Sequence, residues 1–139
     1  MRMPMLKDLG RFPGSGPESR EAKLFYHLKD DNEHAIRMIS GKKTPALISL
    51  WVSNDVMQFG TIKVLTGGAG PQQTEWDAHK GDAVFHVLSG PMTFLIKDRV
   101  ETYDVEEGDF MFIPAGEQYK ILNFYGKTIE AVFSIAPEL

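Results

Sequence analysis

The chain has 139 residues and 15.6 kDa, the size of one ordinary domain. Fifteen basic against 19 acidic residues leave a net charge of −4, which argues against a nucleic-acid surface held by a general basic field. There is no Cys, so disulfides, thiolate metal sites, Fe–S clusters and thiol nucleophiles are excluded together, and a reducing compartment is allowed.

No apolar run approaches the ~18–20 residues of a membrane span, and Met1 to Leu6 lack the apolar region of a secretory signal. The expectation is a cytoplasmic protein with neither a membrane nor a nucleic-acid partner. Thirteen Gly and eight Pro fall between short apolar runs, which predicts many turns and an all-β fold.

In chain order, residues 1–20 carry Gly10, Pro13, Gly14, Ser15, Gly16 and Pro17 and read as a loop or extended arm. Within 21–40, Leu24, Phe25 and Leu28 follow helical spacing, while Ala35 to Ser40 suit a short edge strand. From residue 46 the pattern is that of strands. Ala46–Val52 is apolar and partly β-branched, and Phe59–Leu65 alternates. Gly67 to Pro71 is a loop, Gln73–His79 a polar strand, and Lys80-Gly81-Asp82 a turn. Ala83–Leu88 is an apolar strand. Met92–Lys97 and Glu101–Val105 form a hairpin around Asp98-Arg99. Phe110–Ile113, Tyr119–Phe124 and Thr128–Ile135 complete the set. Short strands with frequent turns imply an antiparallel sandwich or barrel over 46–139, preceded by an arm with irregular and edge elements over 1–45.

Gly108-x5-Pro114-x-Gly116-x2-Tyr119-x3-Asn123 resembles the second motif of the cupin superfamily, with Tyr119 where that motif has a metal-binding His. The stretch Asp77 to Gly90 is similar to the first cupin motif, His-x-His, then Glu, then Gly. Aligned on Gly90, His79 takes the second His, Asp77 the first, and Ala83 the Glu. The resemblance covers residues 59–135 and implies a small jelly-roll β-barrel. Residues 112–123 are also similar to the metal-free, dimer-forming cupin end of centromere protein C. The Arg-rich chromatin motif of those proteins is absent here and the net charge is negative.

Of the four ligand positions that the resemblance implies, only His79 keeps its residue type. Asp77 offers oxygen, Tyr119 ligates only as a phenolate, and Ala83 offers nothing. That set is thin for Zn²⁺ or Fe²⁺, so the expectation is no cofactor or a weakly bound divalent metal held by His79, Asp77 and Glu75. Strand alternation puts Gln73, Glu75, Asp77 and His79 on one face. If His79 faces the lumen as its motif position implies, Glu75 and Asp77 do too, opposite Tyr119. Such a group suits acid–base chemistry, and His79, Tyr119, Glu75 and Asp77 are the candidate catalytic residues. The alternative is that Glu75 and Asp77 lie in solvent, as most acids do.

Ala83, Phe85 and Val87 share the inward phase, which turns His86 outward with Val84 and Leu88. A strand apolar on both faces implies cover on the outer one, by the arm or a second subunit, and a homodimer is expected. His86 then reads as a packing histidine and His27 and His34 as surface residues. Trp51, Trp76, Phe85, Phe94, Phe110 and Phe112 read mostly as core, with one or two lining the lumen. There is no Gly-x-Ser-x-Gly elbow and no phosphate loop. Two functions remain: a small-molecule cupin, as an isomerase, lyase or cyclase if an enzyme, or a non-catalytic dimerisation or ligand-sensing module.

Overall fold

The computed structural model describes residues 11–31, 33–40, 46–66, 69–70, 76–99 and 101–138. It holds one helix, α1 (Gly16–Ala22), and ten strands: β1 (Ile36–Ser40), β2 (Ala46–Ser53), β3 (Gln58–Val64), β4 (Ala69–Gly70), β5 (Asp82–Ser89), β6 (Met92–Ile96), β7 (Thr102–Val105), β8 (Phe110–Ile113), β9 (Tyr119–Leu122) and β10 (Ile129–Ala136). They form two antiparallel sheets, ordered β1-β2-β3-β10-β5-β8 and β4-β9-β6-β7. The all-β jelly-roll expectation is met. No helix among the described residues is long and apolar enough to cross a membrane.

Alternation decides which side chains meet between the sheets. Ala83, Phe85 and Val87 of β5 are buried, as are Ala131, Phe133 and Ile135 opposite them on β10. From the second sheet, Met92, Phe94 and Ile96 of β6 and Tyr119 and Ile121 of β9 complete one continuous core. β2 carries an irregularity at Trp51, between the pairs Leu50–Gly60 and Val52–Phe59. A bulge of this kind bends the strand and adds twist. Gly60 is required there, because a Cβ would sit 2.3 Å from the Ser49 carbonyl oxygen and 2.9 Å from the Phe133 ring.

α1 lies where a loop was expected. Ser15 caps it by accepting from the Glu18 N–H at 3.4 Å, Pro17 falls in the first turn, and Lys23 ends it in the left-handed region at φ 55°. A proline in the first turn starts a helix instead of breaking it. The helical spacing of Leu24, Phe25 and Leu28 builds no helix, and Phe25 is fully exposed. Ile36–Ser40 is the edge strand of the larger sheet.

Phe110 and Phe112 correct the aromatic reading. They are 66% and 56% exposed, because β8 is an edge strand and these two positions fall on its outward phase, opposite His86 and Val84. Phe85 and Phe94 are buried core and Trp51 and Trp76 are half-buried.

Candidate functional site

Tyr119 opens β9 with its side chain turned into the core, paired across the ladder with Ile96 of β6. The turn before it depends on Gly116, at φ 83°, a conformation that L side chains resist. The Gly116 N–H donates to the His79 carbonyl at 2.8 Å. Asp77 and Tyr119 exchange both backbone hydrogen bonds at 2.9 Å as an isolated antiparallel bridge. Three main-chain bonds therefore fix the segment 77–79 against the start of β9, and the side chains follow from that frame.

The result is a polar pair set on aromatic core. The Tyr119 hydroxyl lies 2.7 Å from His79 Nε2. The Tyr119 ring packs edge-on to Phe85 at 5.8 Å and beside Phe94 at 6.4 Å. Asp77 Oδ2 is 3.8 Å from His79 Nε2, and Asp77 Oδ1 accepts from the Ala78 N–H at 3.0 Å. The His79 side chain is 8% exposed and that of Asp77 45%.

The low dielectric sets the protonation states. Burial pushes the Tyr119 phenol well above its ordinary pKa, and the nearby Asp77 charge pushes it the same way. Burial also lowers the His79 imidazole below its ordinary value, against the pull of the Asp77 carboxylate. Asp77 is itself raised by desolvation, partly offset by His79. At neutral pH the pair is a neutral phenol and a neutral imidazole sharing one hydrogen bond. Such a pair accepts and donates protons without first losing a buried charge.

The structure brings His79, Tyr119 and Asp77 together. Glu75 and Gln73 lie outside the described residues, and residues 76–79 form only the single bridge at Asp77, with no strand. Ala83 is fully buried opposite Ile113 and Ile135, so that position supplies no donor. Among the described residues no three His, Asp or Glu side chains gather as a metal site. The His79 Nε2 lone pair or proton is already committed to a phenol that stays protonated. This donor set does not fit a tightly held transition metal.

Two features were not anticipated. Lys120, alternating away from Tyr119, is buried with Nζ 4.7 Å over the Trp76 ring, a cation–π contact. Asn123 is a turn organiser: Nδ2 donates to the Val64 and Lys127 carbonyls at 2.9 and 2.7 Å, and Oδ1 accepts from the Tyr125 N–H at 2.9 Å. Lys120 directly follows Tyr119 in a strand, which marks its outward phase, but nothing local names Trp76 as its partner. His86 does turn outward, stacked on Phe110 at 4.3 Å. His34 bonds Asp31 at 2.8 Å.

The sequence profile of the cupin domain matches residues 63–134. No curated protein matches the chain. Among solved structures, the chain is similar to a predicted oxalate decarboxylase of Thermotoga maritima, with TM-score 0.63 and 19% identity over 81% of this chain and 99% of that one. It is similar to the polyketide cyclase RemF of Streptomyces resistomycificus, with TM-score 0.62 and 17% identity over 81% and 80%. An RmlC-like cupin of Methanocaldococcus jannaschii with a double-stranded β-helix fold aligns with TM-score 0.58 and 18% identity over 83% and 91%. At these identities the likeness carries the fold.

Proposed function

Because the chain belongs to the cupin family, we propose that it binds a small molecule between its sheets and moves a proton on it. This is the chemistry of an isomerase, lyase or cyclase. His79 is the proton-accepting group through Nδ1, with its Nε2–H donating to the Tyr119 oxygen that positions the ring, and Asp77 is the adjacent carboxylate. Glu75, two residues before Asp77, is the candidate fourth member. The observation that carries the reading is the 2.7 Å contact between a buried neutral imidazole and a buried neutral phenol. A polyketide cyclase is among the proteins of similar fold, although fold alone does not choose a reaction.

The test is a thermal-shift screen of small carbonyl compounds, keto acids and sugars. The wild type is compared with His79→Ala and Tyr119→Phe, each checked for native circular dichroism. Ligands that raise the melting temperature of the wild type and lose that effect in both variants support the reading. Ligands that shift all three proteins equally contradict it.

A second reading, a dimerisation module, is favoured by the outer face of the six-stranded sheet. Leu47, Phe59, Val84, Leu88, Phe110 and Phe112 are all exposed there in one phase, the last four on the adjacent strands β5 and β8 and the first two beyond β10 on β2 and β3. At roughly 200 Å² per phenylalanine, the three Phe rings alone leave roughly 300 Å² in water. Val84 and Leu88 beside Phe110 and Phe112 bring the contiguous part on β5 and β8 close to the ~400 Å² at which apolar surface marks an interaction site. A second copy of the chain is the occupant that this reading commits to, since a two-fold interface needs one self-complementary patch. Sheets pack face to face readily in this way.

A further inference from the structure

No strand ladder joins the two sheets among the described residues. β8 ends one sheet and β7 the other, and between these edges lies a pocket of about 260 Å³. Its lining is largely apolar: buried Ile96 and Ile113, half-buried Met111 and exposed Pro114. Tyr103 and Phe112, 40% and 56% exposed, stand at its sides. The rim carries one cation and one anion, Arg99 and Glu117. They make no ion pair with each other, and no described residue bonds either side chain. The turns that bear them are tied together, because the Lys97 N–H donates to the Gln118 carbonyl at 3.0 Å. Each turn is also closed on itself, Arg99 N–H to the Ile96 carbonyl at 3.3 Å and Glu117 N–H to the Pro114 carbonyl at 3.2 Å.

We propose that this seam pocket is a second binding site, distinct from the His79–Tyr119 pair, and that it takes a small zwitterion with an apolar tail: an aliphatic α-amino acid. The guanidinium of Arg99 presents a planar fork suited to a carboxylate. Glu117 supplies the counter-charge for an ammonium group. The Tyr103 hydroxyl donates to Glu101 Oε2 at 3.1 Å, which holds the Tyr103 ring at the pocket wall. A simple anion meets Glu117 unfavourably and a simple cation meets Arg99 unfavourably, whereas a zwitterion satisfies both. The apolar lining then receives the side chain. The pocket volume of about 260 Å³ has room for a ligand of leucine's size.

Titration calorimetry with three probes tests this: L-leucine, 4-methylpentanoate, which lacks the amine, and 3-methylbutylamine, which lacks the carboxylate. Leucine is expected to bind, with each analogue roughly tenfold weaker or worse. Arg99→Gln should reduce leucine to the level of the amine, and Glu117→Gln to the level of the acid. Both residues sit on exposed turns, so these variants keep the fold. Met111→Trp, filling the pocket, should abolish binding, and His79→Ala should leave leucine affinity unchanged. The proposal is overturned if wild type shows no saturable leucine binding at millimolar concentration, if an analogue binds as tightly as leucine, or if His79→Ala removes binding while Arg99→Gln does not.

Discussion

His79 Nε2 and Tyr119 Oη lie 2.7 Å apart although 40 residues separate them in the chain. The contact exists because Asp77 and Tyr119 are bridged through their main chains, which sets two side chains of different segments at one depth in the core. Removing the hydroxyl therefore strands one buried ring nitrogen without moving the backbone. Tyr119→Phe should cost about 1 kcal/mol of stability in urea denaturation and eliminate ligand-induced thermal shifts. Unchanged stability together with unchanged shifts would show the contact to be idle.

The pair also sets a pH dependence. His79 titrates lower in the fold than in the unfolded chain, so on acidification the unfolded chain takes the proton first. Its contribution to stability is complete above the ordinary imidazole pKa of about 6.5 and is lost as pH falls toward the lowered value. Asp77, raised by desolvation, works in the opposite sense, gaining as pH falls through its raised value and softening the loss. Urea melts at about pH 7.5 and about pH 5.5 should show a larger drop for wild type than for His79→Gln. Equal drops would mean that His79 is not held neutral.

Asn123, itself 1% exposed, ties two backbone groups of its own turn, at Tyr125 and Lys127, to the Val64 carbonyl at the end of β3. Asn123→Ala leaves those groups unpaired and should destabilise by about 1–3 kcal/mol. Chemical denaturation of the variant gives the value, and a loss within error of zero would mean that water replaces the side chain.

The outer sheet face gives a mass prediction. Light scattering should report twice the 15.6 kDa chain mass, and Phe110→Glu should yield the monomer with an unchanged circular dichroism spectrum. A wild-type monomer at micromolar concentration would remove the second-copy reading of this face.

The donor set predicts weak metal binding. Free Zn²⁺ at 100 times its dissociation constant would stabilise the fold by about 2.7 kcal/mol, so a tight site is visible in any melt. Dialysed protein is expected to show no large rise in melting temperature on adding Zn²⁺. One transition metal retained per chain and lost in His79→Ala would overturn this.

Much of the fold was legible because alternation is local. The inward phase of Ala83, Phe85 and Val87 and the turns at Gly108 and Gly116 follow from neighbouring residues, and the structure has them buried and at positive φ respectively. Pairing across long separations was less so: that Asp77 bridges Tyr119, or that Lys120 covers Trp76, depends on strands meeting far along the chain. Phe110 and Phe112 read as core and stand exposed, because an edge strand with apolar residues on both faces looks the same in sequence whether its outer face is covered or bare. α1 was missed because Ser15, Gly16 and Pro17 are turn formers, yet Ser15 followed three residues later by Glu18 is also a helix-start signature.

The central claim is that His79 and Tyr119 handle a proton on a bound small molecule. The most direct measurement is hydrogen-to-deuterium exchange at carbon, followed by NMR in D₂O, for the compounds that bind in the thermal-shift screen. The account predicts exchange catalysed by the wild type and slowed by roughly 10²-fold or more in His79→Gln. Compounds that bind to the wild type yet exchange no faster than in buffer, or exchange equally fast with His79→Gln, would contradict it.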